Sequence, residues 1–237
     1  MNIFDVGIIL LLVLFLIVGF KNGVVKELVA LVGIIAVFII AYIGKTYLGN
    51  LLCFILPFFK FTGSLEGLTT INILIYQIIS FMIIFSILLS VYIIVLKISK
   101  FLQKIVNFTL ILWLPSKFLG SIVSLVKGYI VLFAVFLVLL IPLKNNQIYN
   151  ESTLVNFILY KTPIISSTTS NFTNSIESIY KLADDIKNQK ISINQANLET
   201  IDIMLKYKVT TKETIEKLIK LHKLDNIKNI EEVLNKY

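Results

Sequence analysis

The sequence predicts an all-α protein: a four-helix transmembrane bundle with an interfacial amphipathic helix and a small helical C-terminal extramembrane module. Three observations lead there. Four long apolar runs, Ile3 to Phe20, Val24 to Ile43, Ile71 to Leu96 and Phe118 to Leu143, fall in the first 143 of 237 residues. Each meets or nears the ~17–25 residues that a helix rising ~1.5 Å per residue needs to cross ~30 Å of hydrocarbon. The chain is 57% hydrophobic and 15% charged, with a mean hydropathy of +0.89, which leaves too little polar surface for a water-soluble domain. Finally, the polar tail regains helical spacing of apolar residues from Ser175 onward.

No Lys or Arg precedes the first run and no small-residue cleavage site follows it, so it is expected to be a retained span. Lys21, Asn22 and Gly23 form so short a link that the first two spans are an antiparallel hairpin. Leu51 to Phe59 is too short to cross and contains Pro57, so it is expected to lie in the outer interface or to dip into the membrane and return. In the third run Asn72, Gln77, Ser80, Ser86 and Ser90 are expected to hydrogen-bond between helices. Over residues 97–114, Lys97, Lys100, Gln103, Lys104 and Asn107 segregate from Phe101, Leu102, Ile105, Val106 and Phe108, the pattern of an interfacial helix, with Trp113 as a headgroup anchor.

Residues 144–174 read as a polar linker, and 175–237 as a helical module. Thr210 with Glu213, and Asn229 with Glu232, have the spacing of capping pairs. Leu198, Ile201, Met204, Leu205, Ile215, Leu218, Ile219, Leu221, Leu224, Ile230, Val233 and Leu234 are expected to share one core.

The net charge of +8 is uneven: residues 1–143 hold nine lysines against three acids, and the tail holds thirteen against eleven. That excess sits in short loops, where anionic lipid and the topology rule account for it, so no nucleic-acid partner is expected. Lys21, Lys26, Lys97, Lys100, Lys104 and Lys117 flank the two links on one side, against Lys45, Lys60 and Lys144 on the other. This bias places the links in the cytoplasm and both termini outside. Cys53 and His222 are each the only residue of their kind, which excludes an intrachain disulfide and a His/Cys metal cluster. No H-E-x-x-H, G-x-S-x-G or P-loop motif occurs, so no cofactor, metal or catalytic residue is expected.

Two constellations stand out. Ser116, Gly120, Ser124 and Gly128 recur every four residues and form a small-residue groove on the fourth helix. Gly23, Ala30, Ala41 and Gly44 share a face of the second helix with Glu27. Small residues let helices approach closely in lipid, so the two faces are expected to mate, and the groove also offers a surface for a second copy of the chain. Lys127 lies on the groove side of the fourth helix. A charge at mid-bilayer costs ~2.5–3.5 kcal/mol on insertion scales, and pairing Lys127 with Glu27 relieves it. The competing expectation is that Lys127 snorkels to headgroups while Glu27 stays wet. For Asp5, near the outer end of the first run, Lys45 and Lys144 are the candidate partners.

Two stretches carry a resemblance. Asp5 followed by Gly23-Val24-Val25-Lys26-Glu27-Leu28 resembles the N-terminal G-x-x-[RK]-E segment of the colicin V production family of bacterial inner-membrane proteins. Lys117-Phe118-Leu119-Gly120 through Ser124 to Lys127-Gly128 resembles that family's [DN]-R-x-L-G-x-x-x-G-x-x-[RK]-G signature, over about residues 1–143 in all. Ser116 stands in place of Asp or Asn, Lys117 in place of Arg and Ser124 in place of Gly. The resemblance implies a multi-pass, non-enzymatic cell-membrane component linked to production or export of a peptide toxin. The alternatives are a small-solute channel or carrier, and an envelope scaffold or sensor that binds a protein partner through the C-terminal module.

Overall fold

The computed structural model describes residues 2–106, 113–144, 146–162 and 165–237. Helix is the regular structure throughout: α1 (Ile3–Asn22), α2 (Val24–Ile55), a 3-10 turn at Gly63–Leu65, α3 (Ile71–Val106), α4 (Trp113–Leu143), α5 (Gln147–Asn150), α6 (Thr153–Lys161), α7 (Ile165–Lys187), α8 (Ile193–Lys206), α9 (Lys212–Lys220) and α10 (Ile230–Leu234). Four of these, α1 to α4, are long and apolar enough to cross a membrane. Their burial is inverted relative to a soluble protein. Leu10, Leu14, Ile17, Val32, Ile40, Ile87, Val91 and Ile122 are all exposed, which is tenable only with lipid as the surrounding medium.

Local chemistry sets the helix ends. Asn2 caps α1, accepting from the N–H of Phe4 at 3.0 Å and Asp5 at 3.2 Å, while the Asp5 carboxylate accepts from the N–H of Asn2 at 2.9 Å. Together these bonds close a capping box. α1 stops at Gly23, whose φ of +81° suits glycine alone, and α2 starts at the next residue. α2 does not stop at Ile43 but runs to Ile55, ending just before the Leu56-Pro57 pair, where proline disfavours a helical neighbour. The segment Leu51 to Phe59, expected in the interface or as a re-entrant dip, is therefore helical through Ile55. α3 likewise continues without a break to Val106, so the basic stretch begins as an extension of the third span. The polar and apolar faces expected beyond Lys97 and the Trp113 anchor lie outside the described side chains.

The chain forms two compact units, and α2 and α3 are each divided between them. The first takes in residues up to 42 and from 83 to 162, and so differs from a division at Leu143. Its core gathers Ile8, Ile34, Phe38, Phe133, Phe136 and Leu140, with Phe38 and Phe133 edge to face at 5.6 Å. Residues 146–161 hold two short helices in place of the expected linker. Asn146 caps α5, accepting from the N–H of Tyr149, and Ser152 caps α6, accepting from that of Val155. The Asn, Ser and Thr content that suggests a linker is partly the chemistry of helix caps.

The second unit takes in residues 43–82 and the tail from 165. Ile71, Ile73, Leu74, Tyr76 and Phe81 of α3 are buried in it together with Phe172, Ile176 and Ile179 of α7. Polar residues of α2, α3 and α8 are satisfied inside it. Lys45 Nζ donates to Gln77 Oε1 at 3.0 Å and lies 4.1 Å from the centre of the Phe172 ring. Gln77 Nε2 donates to the carbonyl of Val209 at 2.5 Å, and Asn50 Nδ2 to Thr214 Oγ1 at 3.1 Å. Asn197 accepts from the N–H and hydroxyl of Thr70 and donates to the carbonyl of Gly67.

Of the expected tail core, Ile201, Met204, Leu205, Ile215, Leu218, Leu224, Ile230, Val233 and Leu234 are buried, whereas Leu221 is exposed. The cap of α9 is Thr211, one residue after the expected Thr210, which is buried. Asn229 does precede α10 but makes no capping bond.

Asn197 ties the turn before α3 to α8, so its loss strands the buried Thr70 donors. Asn197→Ala is expected to lower the stability of the second unit by about 1–3 kcal/mol, the usual consequence of an unsatisfied buried group. Thermal unfolding of the detergent-solubilised chain, with tail proteolysis as a second readout, checks this.

Candidate functional site

The sequence-predicted site residues gather at two places in the first unit. At the link end, α1 and α4 come into backbone contact. A Cβ placed on Gly120 would lie 2.7 Å from the carbonyl oxygen of Gly19 and from the carbonyl carbon of Gly23. One placed on Gly19 would overlap the carbonyl of Gly120 and Cβ of Ser124, and one on Gly128 would lie 2.5 Å from the Phe15 ring. The groove of Ser116, Gly120, Ser124 and Gly128 is thus filled largely by α1, while of the α2 face expected to mate with it, Gly23 meets Gly120 and Glu27 meets Lys127. The physical reason is Gly19. With Gly23 it forms a G-x-x-x-G pair straddling the end of α1, and this offers α4 two adjacent positions without side chains. The groove is occupied by α1 of the same chain.

On α2, Ala30 and Ala41 are buried. The carbonyl of Ala30 accepts from the Tyr92 hydroxyl at 2.9 Å, and the Tyr92 ring lies where a Cβ on Gly33 would be. The α2 small face therefore receives an aromatic side chain of α3. Ser116 Oγ accepts from the N–H of Val24 at 3.3 Å and covers one of the helix-initiating donors of α2.

The close approach of α1 and α4 frames a polar cluster. Lys127 Nζ and Glu27 Oε2 form an ion pair in which the Glu27 side chain is fully buried and that of Lys127 is 13% exposed. The other carboxylate oxygen, Oε1, accepts from Asn22 Nδ2 at 2.5 Å, and Asn22 Oδ1 in turn accepts from Lys26 Nζ. Lys127 also lies 5.8 Å from the Phe15 ring centre, and Lys117 lies 5.5 Å from that of Phe20. Both carboxylate oxygens of the buried Glu27 are therefore engaged. The arrangement joins α1, its link, α2 and α4 at one point.

The second cluster surrounds Asp5, which is 2% exposed. Oδ1 accepts from Ser152 Oγ at 2.6 Å and from the N–H of Leu154 at 3.0 Å, and Oδ2 from the N–H of Asn2. The expectation of a lysine partner is corrected. Asp5 takes neutral hydroxyl and backbone donors at the N-termini of α1 and α6, where helix dipoles favour a negative charge. Tyr149 packs beside it, edge to face with Phe4 at 5.5 Å, and donates to the carbonyl of Phe136 at 3.2 Å. Burial raises the Tyr149 phenol above its ordinary value and keeps it a donor.

Asn22, Gly19, Tyr92 and Ser152 were missed from the sequence. Gly19 was legible as half of a G-x-x-x-G pair, and Asn22 as an amide four residues before Lys26. Nothing local marks Tyr92 or Ser152. Among the described residues, no group of His, Cys, Asp and Glu is arranged to hold a metal.

A family model described as Colicin V production protein matches residues 4–163. The match continues past Leu143 to the end of α6, so it includes the helix whose N-terminus Asp5 holds. No curated protein and no solved structure matches the chain.

Removing either partner of the buried pair leaves the other unpaired, so Glu27→Ala and Lys127→Ala should each lower folded yield. The double variant should lose less than the sum by at least ~1 kcal/mol, measured as coupling in a double-mutant cycle of detergent unfolding. Additive losses would contradict the pair. Ser124 gives the opposite sign. Its hydroxyl is buried without a hydrogen-bond partner among the described residues, so Ser124→Ala is expected to stabilise the α1–α4 contact by about 1 kcal/mol in the same assay.

Proposed function

We propose a function from one premise: the chain belongs to the colicin V production protein family. It is a membrane protein of that family, with four helices able to span a bilayer. The role we infer is non-enzymatic. The protein acts as an assembly component of the bacterial cell (inner) membrane, linked to production or export of a peptide toxin, and its tail offers the attachment surface for a protein partner.

The observation that carries this reading is the use made of the ionisable groups in the spans. Glu27, Lys127 and Asp5 each fasten one segment of the chain to another. A proton relay or carrier needs such groups aimed into a water-filled path or a substrate site. Their engagement in helix locking supports an architectural part for the membrane unit. The lysine bias toward the two links supports a cytoplasmic position for them and an extracytoplasmic one for both termini.

Purified full-length protein in liposomes is expected to give no ion conductance or solute flux above protein-free vesicles. Flux that disappears in Gly120→Leu would instead establish the channel or carrier. Crosslinking of the full-length chain in intact membranes is expected to capture a defined secretion-related partner. A periplasm-dependent reporter fused after Tyr237 should be active, and activity of a cytoplasm-only reporter there would reverse the orientation.

A further inference from the structure

In the second unit, the end of α2 and the turn after it meet the segment following α9 at a cavity of about 370 Å³. Phe58, Phe59 and Phe61 line it together with Lys60, His222 and Lys223; Asp225 bonds His222 Nδ1 at 2.9 Å, which leaves Lys60 and Lys223 as the cations of the lining. We propose that this cavity binds the phosphate of an anionic phospholipid, with the Leu56 to Phe61 turn seated at headgroup level in the bilayer.

The first support is the surface leading to the cavity. Ile43, Tyr47, Leu51 and Ile55 recur every four residues and are 60%, 78%, 49% and 67% exposed. At ~1.5 Å per residue they make an apolar ladder about 18 Å long on one face of α2. Exposed Leu56 and Phe59 extend it to the cavity. α2, at 32 residues, is ~48 Å long at that rise, which exceeds both the ~30 Å hydrocarbon and the ~40–45 Å of a bilayer with its headgroups. Tyrosine, phenylalanine and lysine at such a helix end are the residues of a membrane–water boundary.

The second support is the placement of charge. Lys223 Nζ donates to the carbonyls of Cys53 and Leu56 at 2.5 and 2.6 Å and lies 5.3 Å from the centre of the Phe58 ring. These carbonyls belong to the last turn of α2 and its exit, so the ammonium is fixed at the negative end of that helix dipole. An ammonium has three donors, and two are spent on α2, which leaves one for an anion in the cavity. Lys60 supplies a second cation from the turn itself. A cationic pocket at the end of an exposed apolar ladder matches a molecule with a phosphate and acyl chains attached. A free phosphate would use the lysines and leave the ladder without a role.

The test is native mass spectrometry of the full-length chain in neutral detergent, titrated with phosphatidylglycerol and, separately, phosphatidylcholine. Phosphatidylglycerol should be retained preferentially, and Lys60→Gln should weaken its retention about five-fold, the usual effect of one interfacial lysine. Phe59→Ser should weaken it as well, while Lys190→Gln, on the exposed Lys190–Asp185 pair, should leave it unchanged. Lys223 is left intact because it caps α2, and unchanged melting of each variant shows that the fold survives. Equal retention of the two lipids, no effect of Lys60→Gln, or displacement of the lipid by inorganic phosphate at equal concentration would each overturn the proposal.

Discussion

Where α1 and α4 touch through Gly19, Gly23 and Gly120, their backbones come closer than any side chain would allow. In lipid the hydrophobic effect gives two helices no reason to associate, so intimate packing and polar contacts must supply the attraction. This contact also sets register. Gly23 lies one turn before Glu27, and Gly120 two turns before Lys127, on helices that both leave the link end. Side chains of a helix lean toward its N-terminus, so Lys127 reaches back along α4 toward the carboxylate. The ion pair forms at the height the glycines dictate, with Asn22 and Lys26 completing it from the link.

At the opposite end of α1 the same economy of polar groups recurs. Asp5 closes the cap of its own helix and holds the start of α6. α1 is therefore fastened near both ends by a buried carboxylate, one Glu27 and one Asp5, while most of its remaining surface is exposed and apolar. The extent of the family match, which runs through α6, agrees with a membrane unit that includes the segment clasped by Asp5. The inferred architectural role grows from this pattern: the costly groups in the spans are spent on holding helices in place.

The spans were legible because bilayer thickness imposes a length and polarity that few soluble segments share. Glu27 and Lys127 were legible as partners because opposite charges inside spans have few other ways to be stabilised. The mate of the α4 groove was legible only in part, since matching small faces by composition pointed to Ala30 and Ala41 as well as Gly23, whereas it is Gly19 together with Gly23 that permits backbone contact. Helix overrun was hidden for a related reason. Lys45 and Asn50 lie beyond the apolar run that ends at Ile43, yet within the second unit they continue α2 and bond to Gln77 and Thr214, while Asn72 and Gln77 bond to the carbonyls of Phe59 and Val209. The apparent linker failed as a reading because Asn146 and Ser152 are caps, and a cap is recognisable only once its helix is known.

The central claim is that α1, rather than α2, fills the groove of α4. Pairwise disulfide crosslinking in native membranes addresses it directly, with Cys53 replaced by Ala and single cysteines introduced at Leu11 and Leu132, which line a common cleft of α1 and α4. The account predicts rapid, intramolecular crosslinking of Leu11→Cys to Leu132→Cys. Absence of that crosslink, with efficient crosslinking of Ala30→Cys on α2 to Ser124→Cys on α4 instead, would contradict it.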